Sequence, residues 1–458
     1  MKKILLFLLI IFSVFLRFYN LEYTARFTRD ESSDLVSIKK IYDHKKITLI
    51  GPMDEGKIEV FSSLTYYLFL PFCIIFGFDP IVTASATAFY GLLTIIFIAY
   101  ILKKRSWSSS IFILSVVFTP FLISSRWAWN PHLIPFWQAL SLLVLFSKLP
   151  YRFLLTGILM GFTIHQHWYA VFTAISIIPI IYFTDKKFKP AILYSIGLFI
   201  SITPFILFDL THPPGLFITR MLYFSPLSIG AYQLPFLTKL WINSKSVFQY
   251  FSGNQLIFGY ISLALTLFVI IKYKTKNHLW FLPIIFQIIA LSLTRSPFRV
   301  HYVIPAALFY IFWLYQNQKI FLVKLLTVLL IIFNILNLKY ILNFSDWSHN
   351  IKAKHIINTL ISNKQKGDSS FNLVVLQSPD NTTKGLSFKD YLTLNNISIK
   401  DPSEYKNIDT LYVVSYQEHW SKLSQDPAYE LDAFRNLTPH EIIKIENSNW
   451  YLYKISKN

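Results

Sequence analysis

Phe61-Ser62-Ser63-Leu64-Thr65-Tyr66-Tyr67-Leu68-Phe69-Leu70-Pro71-Phe72-Cys73-Ile74-Ile75-Phe76-Gly77-Phe78 is apolar enough to enter a membrane, and whether it crosses decides the fold. If it crosses, every later segment changes side. The surrounding chain makes a membrane the right setting. Its 458 residues are 54% hydrophobic, 18% aromatic and only 15% charged, against about 25% charged in soluble domains. That composition belongs to a polytopic α-helical membrane protein.

The formal net charge is +19. Its Lys and Arg fall in short clusters between apolar runs, as the positive-inside rule has it, and no basic stripe accompanies a nucleic-acid module. Nucleic acid is therefore excluded as a partner. Cys73, the single cysteine, rules out an intramolecular disulfide and any cysteine cluster for a metal. Lys2-Lys3 followed by the apolar stretch Ile4–Leu16 lacks a small-x-small cleavage site, so it reads as a retained first span with a cytoplasmic N-terminus.

The clusters at Lys103-Lys104-Arg105, Lys148 with Arg152, Lys186 to Lys189, Lys272 to Lys276, and Lys319 with Lys324 belong in the cytoplasm, so the crossings between them must be even in number. Residues 106–124 and 131–147 form one pair. Residues 153–184 look like one long span, but parity requires two short helices turning near His165-Gln166-His167. Then 191–208 lead out, 254–271 lead back, 278–294 lead out, 302–315 return and 320–342 exit. Only 61–78 breaks the count. With Pro71 inside it, it is expected to lie in the outer interface without crossing, so that residues 17–80 form one external loop. The total is about eleven spans.

On this threading the unusual polar residues emerge together on the external rim. They include Asp30, Glu31, Arg126, Asn130, His165, His167, Arg295, Arg299, His301 and Tyr302, with Lys57 in the first loop. A carboxylate there can act as general base on an acceptor hydroxyl, while a departing phosphate needs cations rather than a proton. The catalytic candidates are Asp30 and Glu31. Their alternative is a solvated loop pair, or the cap of a helix beginning near Ser33; the convergence favours function. Arg295 and Arg299, cations on the outer side, are expected to hold phosphate, with Arg126 and Lys57 behind them. Asn130, His165, His167, His301 and Tyr302 are expected to line the acceptor cavity. His165 and His167 as metal ligands are less favoured than as a hydrogen-bonded helix break; no metal site is assigned, though a divalent ion stays open.

Near Ser345 the composition changes to shorter apolar runs and regular charge. Phe371–Leu376, Thr410–Val414 and Trp450–Lys454 read as strands and 349–362 as a helix. The expected organisation is thus a transmembrane module, 1–344, and a small external soluble α/β domain, 345–458, without a catalytic motif.

The order of Arg29-Asp30-Glu31, Tyr66-Tyr67, Ser125-Arg126-Trp127-Ala128-Trp129-Asn130-Pro131, Gly157 to Gly161 before His165-Gln166-His167, and His301-Tyr302-Val303-Ile304-Pro305 resembles membrane glycosyltransferases of the GT-C class. Within it, the likeness is to the protein O-mannosyltransferase and aminoarabinose transferase superfamily. It covers residues 1 to about 315. The resemblance implies an essential acid at Asp30, a polyprenyl-phosphate-linked sugar as donor and juxtamembrane helices in the first loop. Many members carry an acid after the Ser-Arg pair where this chain has Asn130. The expected function is transfer of that sugar, with inversion, to an acceptor hydroxyl (protein, lipid or glycan) on the non-cytoplasmic face of the cell membrane. The rivals are a flippase or transporter of lipid-linked sugars, which would carry ionisable groups at mid-membrane, a surface-polysaccharide polymerase or ligase, and an inactive scaffold.

Overall fold

The computed structural model describes residues 2–53, 60–220, 234–294, 298–343, 350–363, 370–377, 385–400, 402–445 and 449–457. In chain order its helices are α1 Lys2–Phe18, α2 Leu21–Thr24, α3 Arg29–His44, α4 Leu64–Phe76, α5 Pro80–Arg105, α6 Ser109–Val117, α7 Thr119–Ile123, α8 Ile134–Leu145, α9 Arg152–Gln166, α10 Ala170–Asp185 and α11 Phe188–Thr211. They continue as α12 Phe236–Phe251, α13 Leu256–Lys272, α14 Leu282–Leu293, α15 Ile304–Gln316, α16 Phe321–Asn343, α17 Asn350–Asn363, α18 Leu386–Leu394 and α19 Trp420–Leu423. Two compact units share them: Met1–Leu21, Thr48–Phe69 and Thr83–Phe344 in one, and Glu22–Ile47, Leu70–Val82 and Ser345–Asn458 in the other.

The first unit is helical apart from a hairpin, β1 (Ile50–Met53) against β2 (Val60–Ser62). At its centre is α15, in which every residue from Ile304 to Tyr315 is buried. A helix apolar on all faces has no outer side to offer water and ends up enclosed. Trp313, fully buried there, is the largest of these side chains. The glycines of α9 set its contact with α11. A Cβ on Gly157 would lie 2.1 Å from the Tyr194 carbonyl oxygen, and one on Gly197 would lie 2.1 Å from that of Leu154. Small residues here let the two backbones touch.

Where helices stop inside the apolar core, their backbone groups need partners. Asn334 on α16 supplies them at two breaks. Its Oδ1 accepts from the Thr119 amide at 2.7 Å, at the junction of α6 and α7, and its Nδ2 donates to the Phe251 carbonyl at 3.0 Å, where α12 ends.

Among the described residues, four helical stretches are long and apolar enough to cross a membrane: Pro80–Arg105, Phe188–Thr211, Lys276–Leu293 and Phe321–Asn343. α12 and α13 qualify only together and meet at a bend of 105°. Other apolar helices are shorter. The 153–184 stretch is broken where parity required, between α9 and α10, with His167 as the residue after α9. α4, inside the 61–78 stretch, has 13 residues, about 20 Å against a hydrocarbon core of about 30 Å. α12 was not anticipated from sequence.

The second unit holds a four-stranded sheet in the order β3-β4-β6-β5, with β3 Phe371–Val375, β4 Thr410–Ser415, β5 Glu441–Lys444 and β6 Tyr451–Ser456. β3 pairs parallel with β4, and the other pairs are antiparallel. β4 is buried along its whole length, as a central strand covered on both faces should be. The three expected strands and the helix near 349–362 are present; β5 and α18 are additions. This unit also takes in α3 from the first loop.

Candidate active site

The acidic pair of the first loop opens α3. Thr28 is the N-cap, with Asp30 and Glu31 in the first turn. The helix therefore begins at Arg29 rather than near Ser33. Glu31 is buried, and its Oε2 accepts the Thr28 amide at 2.7 Å and the Thr28 hydroxyl. This is a capping-box arrangement, the Glu reaching back over the first turn. Burial raises the Glu31 carboxyl above its ordinary range, opposed by those hydrogen bonds and the charge of Arg26. Asp30 is half-buried beside it. Next along, the Ser32 hydroxyl lies 2.6 Å from Asp390 Oδ2 on α18, and Phe27 meets Tyr391 edge-on at 5.8 Å. Burial also raises Asp390, opposed by its Ser32 bond and by Arg29 and Lys40. Within the second unit, then, the helix bearing Asp30 is held by the tail.

The first unit gathers a different set. The rings of His167 and His301 lie 5.2 Å apart, His167 and Tyr302 5.5 Å, and Tyr302 and Tyr169 4.3 Å. Trp129 stands edge-on to His301 at 4.4 Å, and His132 packs on Trp127 at 4.5 Å. Phe61, from the first loop, stacks on His167 at 5.3 Å. Three chain segments far apart in sequence thus meet around the α9–α10 break. The sequence points to Asn130, His165, His167, His301 and Tyr302 singly and to Phe61 and Trp129 only as members of the 61–78 segment and the Ser125–Pro131 motif; it misses His132. His132 follows Asn130 by two residues, so the Trp-Asn-Pro turn that drew attention to one could have drawn it to the other.

Several of these side chains are occupied in holding the cage. His165 Nε2 donates to the Ser201 carbonyl at 2.8 Å, which leaves Nδ1 to accept from the Ser62 hydroxyl at 3.0 Å. Asn130 Nδ2 donates to the Gln166 carbonyl, and Gln287 Nε2 to that of Tyr302. Thr65 donates to Gln166 Oε1 at 2.6 Å. His165 and Asn130 therefore lock the helix break, and His167, His301 and Tyr302 pack ring against ring around it.

The expected phosphate ligands fare unevenly. Lys57 and Arg295 lie outside the described residues. Arg299 is exposed two residues before His301. Arg126 is buried, donating through Nη1 to Leu16 O at 2.7 Å and through Nη2 to Tyr19 O at 2.9 Å. It caps the C-terminal end of α1, a cation on the negative end of a helix. No group of three or more His, Cys, Asp or Glu among the described residues is arranged to hold a metal ion.

Compared with solved structures, the chain superimposes on the crystal structure of ArnT from Cupriavidus metallidurans bound to undecaprenyl phosphate. The TM-score is 0.60 at 10% identity, over 98% of this chain and 97% of that one. The fold is that of ArnT. The apo state of ArnT matches over the same shares with a TM-score of 0.57. No protein-family model and no curated protein matches the sequence. At such low identity the likeness to ArnT lies in the arrangement of elements. It is the fold that the aminoarabinose-transferase resemblance implies.

Proposed function

We propose that the chain is an integral membrane glycosyltransferase that moves a sugar from a polyprenyl-phosphate donor to an acceptor hydroxyl on the non-cytoplasmic face. The observation that carries this reading is the end-to-end likeness to a fold that, in ArnT, has been captured with undecaprenyl phosphate. The threading that accompanies it has about eleven spans, counting the shorter apolar helices, with a cytoplasmic N-terminus and an external tail. In this reading α4 lies in the outer interface.

Asp30 takes the proton of the acceptor hydroxyl. The freed oxygen attacks the anomeric carbon from the face opposite the phosphate, the carbon–oxygen bond to phosphate breaks, and polyprenyl phosphate leaves with its charge. Glu31 supports Asp30 by fixing the first turn of α3. Arg299, exposed and close in sequence to the histidine cage, is the preferred cation for the leaving phosphate, with Arg295 and Lys57 as further candidates. Arg126 is assigned a lesser part, since both terminal nitrogens serve α1. The ring cluster of His167, His301, Tyr302 and Trp129 is the candidate wall of the acceptor cavity.

The test is Asp30→Asn in the purified protein, given a panel of undecaprenyl-phosphate-linked hexoses and pentoses in liposomes. Release of undecaprenyl phosphate should fall by at least a hundredfold, in keeping with the loss of a general base, with the melting temperature unchanged. Wild-type turnover retained by the variant would remove Asp30 from the role. Movement of donor across the liposome bilayer without release of its sugar would favour the flippase.

A further inference from the structure

At the end of the first unit remote from the histidine cage, the C-termini of α10 and α13 and the start of α14 leave a groove of about 870 Å³. α10 separates the two places. It begins three residues after His167 and runs 16 residues to Asp185, about 24 Å of helix. The groove therefore lies apart from the cage.

Its chemistry is divided. One wall is apolar and open to the surroundings, with Phe183 53% and Ile285 39% exposed. The rim carries Lys186, Lys274 and Lys276, all exposed, and among the described residues no carboxylate lines it. Among the described residues none of the three forms an ion pair. His278 is tied down from both ring nitrogens: its Nδ1 accepts from Trp313 Nε1 at 3.2 Å, and its Nε2 donates to the Tyr273 carbonyl. Three ammonium groups above an exposed apolar wall, at helix ends, match a molecule with an anionic head and hydrocarbon tails. A small soluble anion would have no use for the wall, and a neutral lipid none for the rim.

We propose that this groove seats an anionic glycerophospholipid of the surrounding bilayer. Its phosphate lies on Lys186, Lys274 and Lys276 and its acyl chains run along Phe183 and Ile285. The proposal rests on the chain lying in a membrane and not on sugar transfer, so it can be tested in the Asp30→Asn protein as well as in the wild type.

The experiment uses full-length protein stripped of lipid in neutral detergent. Phosphatidylglycerol, phosphatidylcholine or inorganic phosphate is added, and thermal melting and native mass spectrometry are read. Phosphatidylglycerol should raise the melting temperature by several degrees and stay bound, while phosphatidylcholine and phosphate do neither. Lys186→Gln/Lys274→Gln/Lys276→Gln should bind phosphatidylglycerol at least tenfold more weakly, and Lys274→Glu alone should weaken it in the same direction. Unaltered binding in both variants, an equal response to phosphatidylcholine, or full stabilisation by phosphate alone would overturn the assignment.

Discussion

At the scale of single residues, Asp30 and Glu31 look interchangeable in the sequence and are not so in the fold. Glu31 closes the first turn of α3 through the Thr28 amide, while Asp30 lies half-buried beside it. Glu31→Ala should destabilise the helix start by about 1 kcal/mol, the usual cost of a lost N-terminal cap. Faster amide exchange at residues 29–32 should report this, with sugar transfer reduced far less than by Asp30→Asn. Complete loss of transfer with unchanged exchange would instead put Glu31 into the chemistry. The distinction was legible: Thr28-Arg29-Asp30-Glu31 carries the Thr-x-x-Glu signature of a helix start. The signal is weak because the apolar residues that mark the helix body come only later, at Leu35 and Val36.

At the scale of elements, breaks are easier to read from the sequence than amphipathic helices. The polar triplet His165-Gln166-His167 inside an apolar stretch marks a break more readily than a metal site, and α9 ends at Gln166 with His167 just beyond it. α12 escaped because Lys239, Asn243 and Lys245 interrupt the apolar run, although its buried Val247, Phe248 and Phe251 keep helical spacing. Counting apolar residues sees total hydrophobicity; period is what α12 offers. The contact of α9 with α11 makes a sharper claim. Gly197→Ala places a methyl group against the Leu154 backbone carbonyl, which cannot turn aside as a side chain could. It should cost about 1–3 kcal/mol, as overpacking does, and shift His165 from Ser201. Thermal melting in detergent checks the first effect. An unchanged melting temperature would mean that the helices part freely.

At the scale of the whole molecule, composition and charge clusters announced a polytopic helical chain with a strand-bearing tail. They could not announce which part of the loop the tail grips. The Ser32–Asp390 hydrogen bond joins residues 358 apart, and nothing local in either segment encodes that pairing. The contact makes the second unit sensitive to pH. Glu31 and Asp390 both have carboxyl pKa values raised by burial, so the folded unit holds their protons more tightly than the unfolded chain. Its stability is greatest below the ordinary carboxyl range, near pH 4, and declines as pH rises through the elevated folded values. Melting or amide exchange of the unit followed from pH 4 to 7 should show that decline, and Asp390→Asn should flatten it. A rise in stability over the same interval would mean that the two carboxyls are better stabilised as anions.

The amide of Asn334 has a consequence for how the last helix can change. A generic anchor needs only to be greasy, and any leucine-rich segment of the right length would tether the tail. Here α16 also completes the hydrogen bonding of two helices that stop short in the interior. Exchanging it for an arbitrary apolar segment would leave the tail attached and strand the Thr119 amide and the Phe251 carbonyl without their partner, so α16 is part of the core's wiring as well as its mooring.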